Sequence, residues 1–199
     1  SRGFRIVVNA STVSSDEIAS WREAGADVTR FAACHNFYPK PYTGLSLEDV
    51  ARTNLRLAAL GFETMAFVPG DANVRGPVFE GLPTVEAQRG RASKVALNML
   101  ELAHGADCDI VLVGDPDLSD AGWAQFAQVS AGYVDVHCEL EPGYDYLQGQ
   151  IHHDRPDSSV HIFRSQESRT TLKPDAVPAD FGAGLPRGMG SIAVSNSGY

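Results

Sequence analysis

Three side chains that form directional hydrogen bonds, His35, Asn36 and Tyr38, lie within four positions of one another. They follow an apolar stretch, residues 28–33, that predicts a buried strand. They precede a predicted helix over residues 46–60, with serine at its N-cap position. Ligands in α/β folds bind where strands end and loops begin. We therefore expect a ligand site at this strand–loop junction.

The elements around this junction repeat as four strand–helix units. Apolar runs predict strands at residues 5–10, 28–33, 64–68 and 109–113. Capping and periodicity predict helices at residues 14–24, 46–60, 83–105 and 121–129. The strands do not alternate, which is typical of a parallel sheet covered on both faces. No GxGxxG or P-loop pattern follows any strand, so a nucleotide-binding Rossmann fold has no support.

The hydrophobic pattern of the sequence changes after Gly132. Residues 133–140 alternate and predict an antiparallel strand, and residues 160–164 and 191–194 are further candidates. We therefore predict two domains, residues 1–132 and residues 133–199, of which the second is mostly β.

Composition limits the function classes. The chain has 199 residues, 43% of them apolar, and a net charge of −9, which argues against nucleic acid or an acidic membrane surface as partner. No apolar run is long enough to span a membrane and the first ten residues do not resemble a signal peptide. Cys34, Cys108 and Cys138 form no CxxC pair, so we expect reduced thiols and a cytoplasmic location.

Six short sequence segments, which occur in the same order along the chain, resemble those of one bacterial family, the 6-phospho-N-acetylmuramidases, formerly labelled "outer surface protein". The segments are residues 9–12, 35–39, 43–46, 69–71, 75–77 and 80–84. The resemblance covers most of residues 5–115 and, more weakly, residues 150–170. One departure is Lys40, where the family usually has arginine; lysine keeps the charge but not the bidentate geometry.

The resemblance implies a cytoplasmic glycosidase that cleaves N-acetylmuramic acid 6-phosphate from a disaccharide of cell-wall recycling. It implies an α/β fold in which residues 1–132 are strands five to eight of a (β/α)8 TIM barrel. Residues 133–199 would begin a cyclophilin-like β domain. Strands one to four, with acidic residues of their own, would lie upstream. We expect such a half barrel to be inactive alone and to associate with its other half or with a copy of itself.

Glycoside hydrolysis normally needs two carboxyl groups. In this sequence the best-placed carboxylates are Asp115 and Glu80, at the face of a barrel that carries active sites, with Asp71 and Glu86 as second choices. The structural alternatives stay open. Asp115 could cap a helix or form an Asx turn, Glu80 could brace its loop, and Glu86 suits the first turn of a helix.

A phosphorylated sugar acid needs cationic partners, because its charge has the same sign as the net charge of the chain. The candidates are Lys40, Arg75, Arg155 and Arg164. Each could instead be a solvated surface charge. The sugar and its acetamido group would be bound by Asn9, His35, Asn36 and Tyr38. The alternatives are that His35 is a buried histidine holding the loop and that Tyr38 packs against Pro39.

We expect neither a cofactor nor a metal ion. His137 with Glu139, and His152 with His153, lack ligand spacing of a known type. Two other functions remain open. A lyase or isomerase acting on a sugar phosphate would need a Schiff-base lysine at a strand end or a metal triad, whereas Lys94 is predicted in mid-helix and Lys40 in a loop. A non-catalytic sugar-binding module would bind the ligand without cleaving it.

Overall fold

The computed structural model describes residues 3–172, 177, 188 and 190–195. These residues divide into two compact units, with the boundary between Val136 and His137. In the part of the chain that the structure describes, no helix is long and apolar enough to cross a membrane.

The first unit is built on a parallel four-stranded sheet, which confirms the α/β class. Its strands are β1 (Ile6–Asn9), β2 (Phe31–Cys34), β3 (Glu63–Val68) and β4 (Ile110–Val113), in the order β1-β2-β3-β4. Asn9 pairs with Cys34, and Val68 pairs with Val113. The carboxyl ends of the strands therefore lie along one edge of the sheet.

Helices connect the strands, and serine residues cap most of the long ones. The helices of this unit are α1 (Ser15–Glu23), α2 (Leu47–Ala58), α3 (Glu86–Arg89), α4 (Val95–Leu100) and α5 (Asp120–Ser130). Ser14, Ser46 and Ser119 each accept a backbone N–H with the side-chain oxygen. The cap predicted at Ser46 is confirmed, since it accepts the N–H of Asp49 at 3.0 Å.

Two apolar clusters hold the helices on the sheet. One lies between β3, α2, α4 and α5 and includes Val50, Val68, Val95 and Leu102. The other joins α1 and α2 to the first two strands through Ile18, Phe31, Leu57 and Phe62. Burial of these large side chains is the main stabilising term of the unit.

Two predicted elements differ from the structure. Residues Val28–Arg30 form a 3-10 turn before β2, because Asp27 caps it by accepting the N–H of Thr29. The helix predicted over residues 83–105 is interrupted. α3 ends at Arg89 with Gly90 as its C-cap, α4 begins after Lys94, and Glu101–Gly105 is a π-helical turn. Glycine disfavours helix continuation.

The strands predicted after Gly132 are not formed, so that prediction was wrong for the described residues. Residues 133–140 carry no regular structure, and Val134 and Val136 are exposed. Residues 191–194 are also irregular, and 160–164 holds only an isolated bridge between Ser159 and Ile162. An alternating sequence pairs only where a neighbouring strand supplies backbone partners, and the described residues offer none. The second unit also contains a short helix, α6 (Glu167–Thr170).

Candidate functional site

Two of the predicted sugar-binding residues meet at the carboxyl edge of the sheet. The side-chain amide of Asn9, the last residue of β1, donates to the amide oxygen of Asn36 at 2.9 Å. The oxygen of Asn9 accepts the N–H of Ser11 at 2.8 Å. These bonds leave the amide nitrogen of Asn36 without a partner among the described residues, and Asn36 is exposed. This group can donate to a ligand.

The loop after β2 is attached to the segment that precedes α3. The hydroxyl of Thr84 donates to the carbonyl of Asn36 at 2.9 Å and accepts the N–H of Phe67 at 2.9 Å. The N–H of Tyr38 donates to the carbonyl of Pro83 at 2.9 Å. Thr84 is fully buried, so these bonds are shielded from water. These bonds hold the backbone of Asn36 and Tyr38 in place relative to β3.

Arg75 lies over an aromatic pair at the same edge. Its guanidinium carbon is 5.9 Å from the centre of the Phe37 ring, and that ring packs edge-to-face on Phe67 with centroids 5.4 Å apart. A cation over an aromatic face is attracted by the ring quadrupole. None of the ion pairs between described residues involves Arg75. Its charge is available to an anion.

The Asp115 carboxylate, which follows β4, is buried and bonded to three backbone amides. Oδ2 accepts the N–H groups of Gly70 and Leu82 at 2.8 and 2.9 Å, and Oδ1 accepts that of Arg75 at 3.0 Å. Gly70 approaches so closely that a β-carbon there would lie 2.6 Å from that of Asp115. This arrangement matches a structural role, in which Asp115 holds the loop of residues 69–82.

Glu80 and Lys40 are exposed, and among the described residues neither side chain forms a hydrogen bond or an ion pair. Only their backbone carbonyls are used, and both accept from Arg89, at 3.0 and 3.2 Å. Their charged groups therefore face solvent from two different loops, and Arg89 donates hydrogen bonds to both loops.

Glu86 and Arg89, on α3, form the best-connected ion pair of the unit. Nε and Nη2 of Arg89 donate to the two carboxylate oxygens of Glu86 at 2.8 and 2.9 Å. The Arg89 hydrogen bond, helped by the N–H groups of Tyr42 and Gly44, lowers the pKa of Glu86 to about 2. Glu86 is thus more than the first-turn residue that the sequence suggested. Sequence reasoning missed Arg89, although its position three residues after Glu86 on a predicted helix indicates an ion pair.

His35 is buried, with 1% of its surface exposed, and lies beneath the edge. Its Nε2 is 2.8 Å from the side-chain oxygen of Asn54, whose amide donates to the carbonyl of Ala106. Burial lowers the pKa of His35 below its usual value. This placement matches the structural alternative for His35.

Asp71 is also engaged in structure. Its carboxylate accepts the N–H and the hydroxyl of Ser119, the cap of α5, at 2.7 and 2.6 Å. It therefore ties the loop after β3 to the start of α5.

The second unit holds the other two predicted cations. Arg155 and Arg164 both contact the carboxylate of Asp157, the second of them at 3.5 Å. The backbone of Arg155 also donates to the carbonyl of Arg164 at 3.0 Å. The structure therefore brings this pair together around one acidic residue, within its own unit.

Within the described ranges, no group of three or more His, Cys, Asp or Glu residues could hold a metal ion. Lys94 is not in mid-helix, as the sequence predicted, but is the N-cap residue of α4. Lys94 is exposed to solvent and does not lie at the end of a strand, where a Schiff-base lysine would be needed.

Comparison with known proteins places the first unit in a family. The model of the family described as "6-phospho-N-acetylmuramidase, N-terminal" matches residues 1–128. No curated protein matches the chain.

Two solved structures are similar to the chain. A conserved Enterococcus faecalis protein of unknown function is 37% identical, with a TM-score of 0.57; the match covers 63% of this chain and 36% of that one. An uncharacterized B. cereus protein is 23% identical, with a TM-score of 0.62; the match covers 89% of this chain and 52% of that one. The second likeness shows the fold alone. The chain thus spans about half or less of these longer proteins.

Proposed function

The chain belongs to the 6-phospho-N-acetylmuramidase family, and from this premise we propose that the complete protein is a cytoplasmic glycosidase of cell-wall recycling. Its substrate is a disaccharide that carries N-acetylmuramic acid 6-phosphate, and its reaction is hydrolysis of the glycosidic bond. No cofactor or metal ion takes part in this proposal.

The proposed architecture is half of a (β/α)8 barrel. The parallel order β1-β2-β3-β4, with helices between successive strands, suits strands five to eight of such a barrel. The remaining strands would belong to the rest of the complete protein, in keeping with the greater length of the similar solved structures. Residues 133–199 would begin the cyclophilin-like domain. A copy of the chain could also cover the free sheet edges.

The observation that carries the proposal is the placement of Arg75. Its backbone is held by the buried Asp115, its guanidinium lies on Phe37, and no acidic side chain among the described residues neutralises it. A guanidinium fork suits the oxygens of a phosphate. We assign Arg75 to the 6-phosphate, with the exposed Lys40 of the loop after β2 as a second positive charge.

The acid–base chemistry needs two carboxyl groups, and among the candidates at this edge that the structure describes, one has no side-chain partner. Glu80 faces solvent without a side-chain partner among the described residues, so we propose it as one catalytic carboxyl group. Asp115 shapes the loop that carries Glu80 and Arg75, because both of its oxygens already accept backbone amides. The second carboxyl group would come from the rest of the complete protein.

The sugar ring and its acetamido group are assigned to three side chains. Asn36 donates through its free amide nitrogen, Asn9 orients it, and Tyr38 is half-buried beside them. The buried His35, at the start of this loop, is held in place by its hydrogen bond to Asn54. Arg155 and Arg164, in the second unit, stay proposed anion-binding residues of that unit, and both contact Asp157.

One observation favours a second candidate function, a sugar-binding module without catalysis. Both oxygens of the Asp115 carboxylate accept backbone amides, which leaves Glu80 as the one catalytic candidate at this edge that is free of side-chain contacts in the described part of the chain. Binding needs only the amides and cations, whereas hydrolysis needs a second acidic group.

Incubation of the full-length protein with the 6-phosphorylated disaccharide tests the proposal. Mass spectrometry should detect free N-acetylmuramic acid 6-phosphate, and the unphosphorylated disaccharide serves as the control. Binding of the phosphorylated sugar with no release of product would instead support the binding module.

A further inference from the structure

Arg89 contacts two loops that are far apart in sequence. Nη1 donates to the carbonyls of Glu80 and Gly81 at 3.0 and 2.9 Å. Nη2 donates to the carbonyls of Tyr38 and Lys40 at 2.8 and 3.2 Å. The side chain is 9% exposed. One planar group therefore bonds the backbone of the loop after β2 and that of the loop after β3.

Glu86 extends the same connection on its other side. Its oxygens accept the N–H groups of Tyr42 and Gly44, both at 2.8 Å. A β-carbon at Gly44 would lie 2.7 to 2.9 Å from atoms of Glu86, so this approach requires glycine. The loop after β2 is thus held at both its start and its end by the same ion pair.

Both loops carry backbone strain beside these contacts. Tyr42 and Phe79 adopt left-handed conformations, with φ of 66° and 57°, which aromatic residues rarely occupy. Such conformations persist where neighbouring contacts fix the backbone. Two hydrogen bonds supply that restraint: the N–H of Tyr42 donates to Glu86, and Arg89 donates to the carbonyl of Glu80, next to Phe79.

We propose that Arg89 is a positioning residue, which with Glu86 fixes the separation between the loop of Tyr38 and Lys40 and the loop of Glu80. The proposal rests on the proposed function, in which the first loop binds the phosphorylated sugar and the second carries a catalytic carboxyl group. Because rate depends steeply on the placement of reacting groups, release of the two loops should slow the chemical step more than it weakens binding.

The test uses the full-length protein with Arg89→Gln, Glu86→Gln and the double variant. Arg91→Gln is the matched control, since the Arg91 side chain pairs with Glu101 and, among the described residues, neither side chain of this pair forms a hydrogen bond to either loop. Amide hydrogen exchange at Tyr42 and Gly44 reports the loop contacts, and steady-state kinetics with the phosphorylated disaccharide reports kcat and KM separately.

We expect Arg89→Gln to reduce kcat about 100-fold while KM changes less than about tenfold. The double variant should be no slower than either single one, because the pair acts as a unit. Exchange at Tyr42 and Gly44 should accelerate in Arg89→Gln as well as in Glu86→Gln. Guanidinium at concentrations that do not denature the protein should restore part of kcat to Arg89→Ala.

Unchanged exchange at Tyr42 and Gly44 in Arg89→Gln would overturn the proposal. A loss of kcat no greater than that of Arg91→Gln would also overturn it, by showing that the pair only stabilises the fold. A wild-type protein that cleaves nothing would refute the proposed function. In that case the exchange data alone decide whether the pair couples the two loops.

Discussion

The backbone N–H of Arg75 donates to Oδ1 of Asp115 at 3.0 Å, and this bond connects the loop after β3 to the end of β4. Asp115 is buried, whereas Arg75 is exposed and rests on Phe37. A hydrogen bond to a charged acceptor is stronger than one between neutral groups. A buried carboxylate therefore sets the position from which an exposed cation can reach an anion.

The substitution Asp115→Asn tests this loop-holding role. The amide nitrogen that replaces one carboxylate oxygen would face N–H donors of the loop, so at least one amide loses its acceptor. We expect the free energy of unfolding to fall by about 3 kcal/mol, and the chain to be cleaved by proteases within residues 69–82. Chemical denaturation and limited proteolysis provide the measurements. Asp120→Asn, on an exposed first-turn residue of α5, should cost less than about 1 kcal/mol.

Arg75→Ala should weaken binding of the phosphorylated disaccharide about 10- to 100-fold, because a charge-assisted contact to phosphate is lost. Binding of the unphosphorylated disaccharide should hardly change. Isothermal titration calorimetry with both sugars measures the ratio. Arg52→Ala, an exposed arginine of α2 that pairs with Glu48 and Asp49, is the control for a general change in charge. Equal loss for both sugars would remove Arg75 from the phosphate site.

Asn36→Ala should weaken both sugars by a similar factor, about tenfold, since it removes a neutral hydrogen bond that does not involve the phosphate. Asn9→Ala should have a smaller effect of the same kind, because Asn9 only orients Asn36. Calorimetry with the two disaccharides separates these effects from that of Arg75→Ala. A loss confined to the phosphorylated sugar would contradict the assignment of Asn36 to the sugar ring.

The buried His35 predicts a pH dependence of stability. Its pKa is lowered in the folded state, so the unfolded chain binds more protons as the pH falls. The contribution is therefore fully present above the unfolded pKa, about 6.5, and is lost as the pH falls from there through the folded pKa. Thermal unfolding between pH 8 and pH 5, with the range set by the histidine pKa, should show Tm falling on the acid side.

In His35→Gln this fall in Tm should be less steep, because a neutral side chain takes up no proton. The exposed His104 provides the control, and His104→Gln should keep the slope of the wild type. An unchanged slope in His35→Gln would show that His35 does not titrate on unfolding.

Local sequence patterns predicted the four strands and the serine-capped helices α1 and α2 of the first unit. The apolar runs at residues 5–10, 28–33, 64–68 and 109–113 each overlap a strand. The side chains of the serines before α1 and α2 each accept the N–H of the residue three positions further on. The break between α3 and α4 was missed, since the helical periodicity of that stretch outweighed Gly90. The strand expected at residues 133–140 failed because alternation predicts the face of a strand but not its partner.

The location of the site was predictable from the sequence, but its hydrogen-bond partners were not. Position at a strand end identified Asn9 and Asn36, which the structure joins, because parallel strands end at one edge. The three amides on Asp115 come from a loop 33 to 45 residues away in sequence, and no local pattern encodes them. Arg89 was missed for the same reason, since its carbonyl partners lie on two other loops.

The most direct test of the proposed function is the ratio of kcat/KM for the phosphorylated and the unphosphorylated disaccharide, measured with full-length protein. We expect release of N-acetylmuramic acid 6-phosphate and a ratio well above about 100, since a lost phosphate contact costs several kcal/mol. Equal rates for the two sugars, or binding without any cleavage, would contradict it.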